Sequence, residues 1–152
     1  MTQRIDYRGA APEGFAAMRG LEGYVRRCGL PQALLELVKM RVSQINGCAY
    51  CLDMHSKDAR ANGETEQRLY VLPAWRETTF YDERERAALE WSEAVTRISE
   101  GGVQNEPYER ARQQFSEKEL VDLTLAVIAI NGWNRLAIAF RAPAGSYQPA
   151  AK

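Results

Sequence analysis

Apolar residues recur at three- and four-residue intervals along nearly the whole chain, and no stretch alternates apolar with polar positions in the manner of a strand. That rhythm predicts an all-α fold, punctuated by local breaks. Pro12 opens a first helix that reaches about residue 28, with Phe15, Met18, Leu21 and Val25 on one face, and Gly29 ends it. Pro31 starts a second helix through LLELVKMRVSQI, which stops at Asn46-Gly47. A third runs from about Cys48 to Ala61 and meets Asn62-Gly63 as its C-cap. A short helix near residues 65–72 gives way at Pro73, and Asp82 caps ERERAALEWSEAVTRI, which ends before Gly101-Gly102. Ser116 and Glu119 then form a capping box ahead of ELVDLTLAVIAINGWNRLAIAF. Between Leu120 and Ile130 that last helix is apolar on nearly all sides, which places it in a core or between subunits. Residues 142–152 (APAGSYQPAAK) read as a loose tail. With 152 residues and neither repeat nor linker, the chain reads as a single domain with its core at about residues 13–141.

Twenty basic and 20 acidic residues give a formal net charge of zero. A nucleic-acid binder would show a basic excess on one face, so none is expected as a partner. The balance leaves little colloidal repulsion against self-association. No apolar run stands out as a membrane span, and the start MTQRIDYRGAAPEG lacks a signal core, so no membrane partner is expected. Three cysteines are too few for an exported disulfide scaffold, which leaves a reducing cytoplasm as the expected location.

The chemistry concentrates in NGCAYCLDMHSKDARANG, residues 46–63, which holds two of the three cysteines and the only histidine. At about 100° per residue, Cys51 lies about 60° and His55 about 20° from Cys48, so all three project from one helix face. Cys51 and His55 are i,i+4 neighbours, within reach of a thiolate–imidazole pair. Cys48 follows the Asn-Gly break, where free amides and the helix dipole favour a thiolate. A dithiol so placed suits redox work: one cysteine attacks, the other resolves, and a histidine moves the proton. Glu36, within Leu34-Leu35-Glu36-Leu37-Val38, is either exposed on an opposite stripe or buried with a partner, for which His55 is the natural candidate.

Other readings stand beside this one. Zinc would need Cys28, Cys48, Cys51 and His55 together, without the second cysteine pair that structural zinc sites usually bring. Cys28 also reads as a small core filler, and Trp75, Trp91 and Trp133 as core or interface residues. No glycine-rich phosphate cradle suggests a nicotinamide or flavin cofactor, and no cofactor or metal is expected.

Glu36, twelve residues before Cys48, followed by Cys48-x-x-Cys51-x-x-x-His55, resembles the core motif of the AhpD-like alkylhydroperoxidases, within the wider carboxymuconolactone decarboxylase family. The approach from Arg41 to Ile45, HSKDARANGET, DERERAALEWSEAVT and INGWNRLAIAF are similar as well, so the likeness covers most of residues 13–141. It implies an all-α fold with a helical hairpin around the cysteine helix and assembly into trimers or hexamers. It also implies a peroxidase that reduces organic hydroperoxides or H2O2, with Cys51 peroxidatic, Cys48 resolving, and Glu36 and His55 as the proton relay. The helix-start argument points the other way, to Cys48 as the more acidic thiol. Electrons would come from a dithiol donor, a lipoylated protein in AhpD systems. One departure is Tyr50, where AhpD proper carries a second histidine; a phenol does not titrate near neutral pH as imidazole does. Alternatives from the same fold are a lactone decarboxylase, a branch that does not need the cysteine pair, and a redox sensor or assembly protein without efficient turnover.

Overall fold

In the computed structural model, which describes residues 2–149, every regular element is helical. Eight α-helices follow in order: α1 Tyr7–Ala10, α2 Pro12–Arg27, α3 Gln32–Asn46, α4 Ala49–Ala61, α5 Glu66–Val71, α6 Glu83–Thr96, α7 Asn105–Gln114 and α8 Glu117–Phe140. The local signals hold. Pro12 sits at the start of α2, and the Asp82–Glu85 and Ser116–Glu119 capping boxes open α6 and α8. Each box satisfies orphan N–H groups that a helix start otherwise leaves open.

Three features lie outside the sequence-based expectation. A short α1 precedes α2, capped by the Asp6 carboxylate. Beyond α5 the chain tightens into a 3₁₀ helix, Leu72–Glu77, instead of opening at Pro73. And α7 forms from the polar stretch NEPYERARQQ, whose one buried residue is Ala111. Its weak periodicity hid it; Phe115 just beyond, 2% exposed, anchors it to the core.

α3 is the hub, packed against α4, α6 and α8. Seven consecutive residues, Leu34 to Met40, are buried, so this helix is enclosed on every side over two turns. At about 1.5–3 kcal/mol for each buried aliphatic side chain, Leu34, Leu35, Leu37 and Val38 hold the hub in place. They also carry Glu36 and Lys39 into the interior with them, 3% and 0% exposed. α8 presents Leu120, Leu123, Val127, Ile130 and Asn134 to this core, while Val121 and Ile128 face outward at 59% and 50% exposure. By length and hydropathy alone α8 would pass for a membrane span, with a mean hydropathy of 1.4 over its most apolar window. That was not anticipated from the sequence; here one side of α8 is taken up by contacts with α2, α3 and α6. Where α2 meets α8, a Cβ on Gly132 would stand 2.7 Å from the terminal methyl of Met18, which would have to swing aside.

Residues 142–149 have no regular structure, yet they are tied to α4. Gly145 N–H donates to Asp53 (3.0 Å), Lys57 Nζ to the Tyr147 carbonyl (3.0 Å) and Tyr147 O–H to Asp58 (2.7 Å). Residues 150–152 of the expected tail lie outside the described residues.

Candidate active site

The site grows from the turn between α3 and α4. Gly47 closes α3 in the left-handed region (φ 68°), a conformation that costs glycine nothing. The chain then extends through Cys48, the N-cap of α4, which sets this cysteine at the helix start beside the amides of Tyr50 and Cys51. Both cysteines are free thiols and both are 1% exposed. The Cys51 thiol donates to the Cys48 thiolate, and the amides of Cys51 and Tyr50 and the Asn134 side chain add to it. Together they outweigh burial and hold Cys48 down at about 7. Cys51 is pushed the opposite way, by that same hydrogen bond, by burial and by the neighbouring charge. Both shifts run the way the helix-start argument pointed, toward Cys48 as the more acidic thiol, with the Cys51 hydrogen bond as the leading cause.

His55, one turn after Cys51, is 4% exposed, and its Nδ1 lies 2.8 Å from Glu36 Oε2. Gln32 donates to the other Glu36 oxygen at 2.7 Å. Burial alone would raise the Glu36 carboxyl, but the His55 hydrogen bond and charge, Lys39 and Gln32 hold it below the usual glutamate range. Behind this pair lies a second one. Lys39 Nζ is 2.6 Å from Glu22 Oε1 and 4.0 Å from Glu36 Oε1, which links Glu22, Lys39, Glu36 and His55 across α2, α3 and α4.

A cavity of about 290 Å³ opens onto this cluster. Cys51 and His55 border it, with Phe15, Tyr50, Met54 and Trp133 as apolar walls. Cys48 is not among its lining residues. Of the two buried cysteines, Cys51 is thus the one that borders the cavity.

The sequence-predicted set Cys48, Cys51, His55 and Glu36 comes together at one place. The zinc set does not: among the described residues, the group of three ligand-type side chains with ligand atoms within 4.8 Å of one another is Glu36, His55 and Asp58. Its atoms already serve one another, Gln32 and Tyr147. Trp75 and Trp91 are core residues, whereas Trp133 lines the cavity.

Against known sequences, residues 10–94 match the model of the carboxymuconolactone decarboxylase family. The chain belongs to that family. Among its relatives in the family is the uncharacterized protein YdfG of Bacillus subtilis, 49% identical over 91% of this chain and 95% of its own length. The uncharacterized protein YnjA of Escherichia coli is 26% identical over 67% of the chain and 56% of its own length. Among solved structures, an Agrobacterium tumefaciens protein of unknown function, provisionally assigned to antioxidant defence as AhpD, superposes with a TM-score of 0.92. It is 44% identical and is matched over 96% of this chain and 100% of its own. The debrominase Bmp8 shares the fold at TM-score 0.81 and 22% identity, over 91% of this chain and 74% of its own. This family member therefore has the AhpD-like fold expected from its motif, on a scaffold that also carries other chemistry.

Sequence reasoning passed over two contributors and left a third, Asn134, open between site and interface. Lys39 and Glu22 drew no reading from the sequence, although Lys39 shares the enclosed stretch of α3 with Glu36 three residues away, and that spacing was the available signal. Asn134, fully buried, donates to Ser43 (3.1 Å) and accepts from Asn46 (2.8 Å) while also bonding the cysteines.

Proposed function

We propose that the chain is a thiol-dependent peroxidase that reduces an organic hydroperoxide, or H2O2, through a Cys48–Cys51 dithiol–disulfide cycle. The observation that carries the reading is the cavity bordered by Cys51 and by a His55 held 2.8 Å from Glu36, with the more acidic Cys48 directly behind.

The cycle balances as follows. The proton between the sulfurs passes from Cys51 to Cys48, and the Cys51 thiolate attacks the outer peroxide oxygen. The O–O bond breaks and leaves Cys51 as a sulfenic acid. The departing alkoxide takes a proton from His55, which regains one from solvent while Glu36 holds the ring in place. Cys48 then attacks the Cys51 sulfur, the S–S bond forms, and hydroxide leaves as water with the Cys48 proton. Two sulfurs are oxidised, the peroxide is reduced to alcohol and water, and a dithiol donor returns the pair to its starting state. A lipoylated protein fits that donor chemistry, and a reducing cytoplasm fits the free thiols. The outward Val121 and Ile128 of α8 suit assembly with further copies of the chain, as a trimer or hexamer.

The test is a thiol count after one equivalent of cumene hydroperoxide, with the bridge mapped by mass. The expected result is loss of two thiols to a Cys48–Cys51 disulfide and prompt recovery with a dithiol. Cys51→Ser abolishes turnover, whereas Cys48→Ser stops at a sulfenate or mixed disulfide. Full activity in Cys51→Ser would overturn the assignment.

A further inference from the structure

The rim of the Cys51 cavity is positively charged in a way that peroxide reduction does not require. Arg8, Arg19 and Arg26 all border it, against one carboxylate, Glu22. Glu22 is already engaged by Lys39 at 2.6 Å and by Arg26 at 3.4 Å. Among the described residues neither Arg8 nor Arg19 forms an ion pair, although most arginines on α5, α6 and α7 do. Arg8 is nonetheless held in place: its guanidinium lies 5.6 Å over the Phe15 ring centroid, and one amino group donates to the Tyr50 hydroxyl at 3.1 Å. Phe15 in turn meets Trp133 edge-on, with centroids 5.5 Å apart. The cavity thus has aromatic walls, a nucleophilic sulfur at one border and two arginines without counter-ions at another. A guanidinium is a planar, multi-donor fork matched to a carboxylate. At about 290 Å³ the space lies near the small end of sites for small organic molecules, too small for most of a long lipid chain.

We infer that this cavity selects a carboxylate-bearing organic hydroperoxide of small-molecule size, with its apolar body against Phe15 and Trp133 and its carboxylate on Arg8 and Arg19. The reacting end of this assignment rests on the peroxidase reading; the binding end does not, and the experiment separates them. The probes are the para-carboxylate of cumene hydroperoxide and its methyl ester, which share body and peroxide and differ in charge. At low ionic strength the acid is expected to exceed the ester by about tenfold in kcat/KM. Arg19→Gln, an exposed substitution that leaves the core intact, collapses that ratio, and Arg8→Gln does the same if it folds. Added salt also narrows the ratio, as screening of an exposed anion site demands. Equal rates for acid and ester overturn the substrate class and leave the peroxidase standing. If neither is turned over, the peroxidase reading fails, and calorimetry with the redox-inert para-isopropylbenzoate decides the rest. Binding tighter than that of its methyl ester, weakened by Arg19→Gln, sustains the anion site; equal or absent binding removes it.

Discussion

Removing the Cys51 sulfur tests where the dithiol keeps its charge. Cys48 is held at about 7 against an ordinary 9.0, which corresponds to about 2–3 kcal/mol in favour of its thiolate. The leading cause is the hydrogen bond from Cys51; the helix-start amides and Asn134 supply the rest against burial. A hydrogen bond to a charged acceptor is worth about 1.5–3 kcal/mol, or about one to two pH units at 1.36 kcal/mol each. Cys51→Ala is therefore expected to move the Cys48 titration up by about one to two pH units. Cys51→Ser, whose hydroxyl still donates, keeps it near the wild-type position. The assay is ultraviolet thiolate absorbance against pH, paired with iodoacetamide alkylation mapped by mass so that Cys28 is read separately. Two results would refute the reasoning. One is a low-pH thiolate that survives in Cys48→Ala, which would put the charge on Cys51. The other is a Cys51→Ala titration that does not move, which would make the amides sufficient by themselves.

Two further perturbations address the network behind the thiols. Lys39→Met leaves Glu22 without its 2.6 Å partner in a largely buried setting, and breaking such a pair is expected to cost about 3–5 kcal/mol in urea unfolding. The double variant with Glu22→Leu should recover much of that loss, and a single-variant cost under about 1 kcal/mol would show the pair to be open to water. Acid should destabilise the fold through Glu22, Glu36 and Glu93, whose carboxyls burial would raise but whose cationic and hydrogen-bonding partners lower instead. Because the folded values are depressed, their contribution is complete above the ordinary 4.5 and is lost as pH falls through the lowered values. Each group can remove up to about 1.4 kcal/mol per pH unit in that range; a urea midpoint that stays level from pH about 5 to about 3 would contradict the sign.

What could be read from the sequence follows from the range of the interaction that carries it. Helix starts and stops depend on residues within four positions, so Asp82, Ser116, Gly47 and Asn62 were legible where they stand. The cysteine–histidine face was legible for the same reason, since helical geometry alone aligns Cys48, Cys51 and His55. Glu36 became legible through its apolar neighbours and the resemblance. α7 was not, because what fixes it is Phe115 entering a core built by α3, α6 and α8. The strap at residues 142–149 was not, because its partners Asp53, Lys57 and Asp58 stand about 90 residues earlier. The rim arginines carry no signal at all in sequence: Arg8 and Arg19 acquire meaning only when α1 and α2 fold against α4 and α8 around one cavity.

The two sulfurs also bear on how the proposed cycle would close. After oxidation a donor thiolate that enters by the cavity meets a wall lined by Cys51 but not by Cys48. In the proposed cycle attack would then fall on the Cys51 sulfur, with Cys48 as the leaving group. Thiol–disulfide exchange runs faster when the leaving thiol is more acidic, and with Cys51 tied to the donor and no longer a hydrogen-bond donor, the amides of Cys51 and Tyr50 and the Asn134 side chain still favour a Cys48 thiolate. The feature that seemed to argue against Cys51 as the attacking thiol thus serves the other half of the cycle. It puts the better nucleophile's access on one cysteine and the better leaving group on the other. A donor whose dithiol sits on a slender arm would suit this arrangement, since both cysteines are 1% exposed.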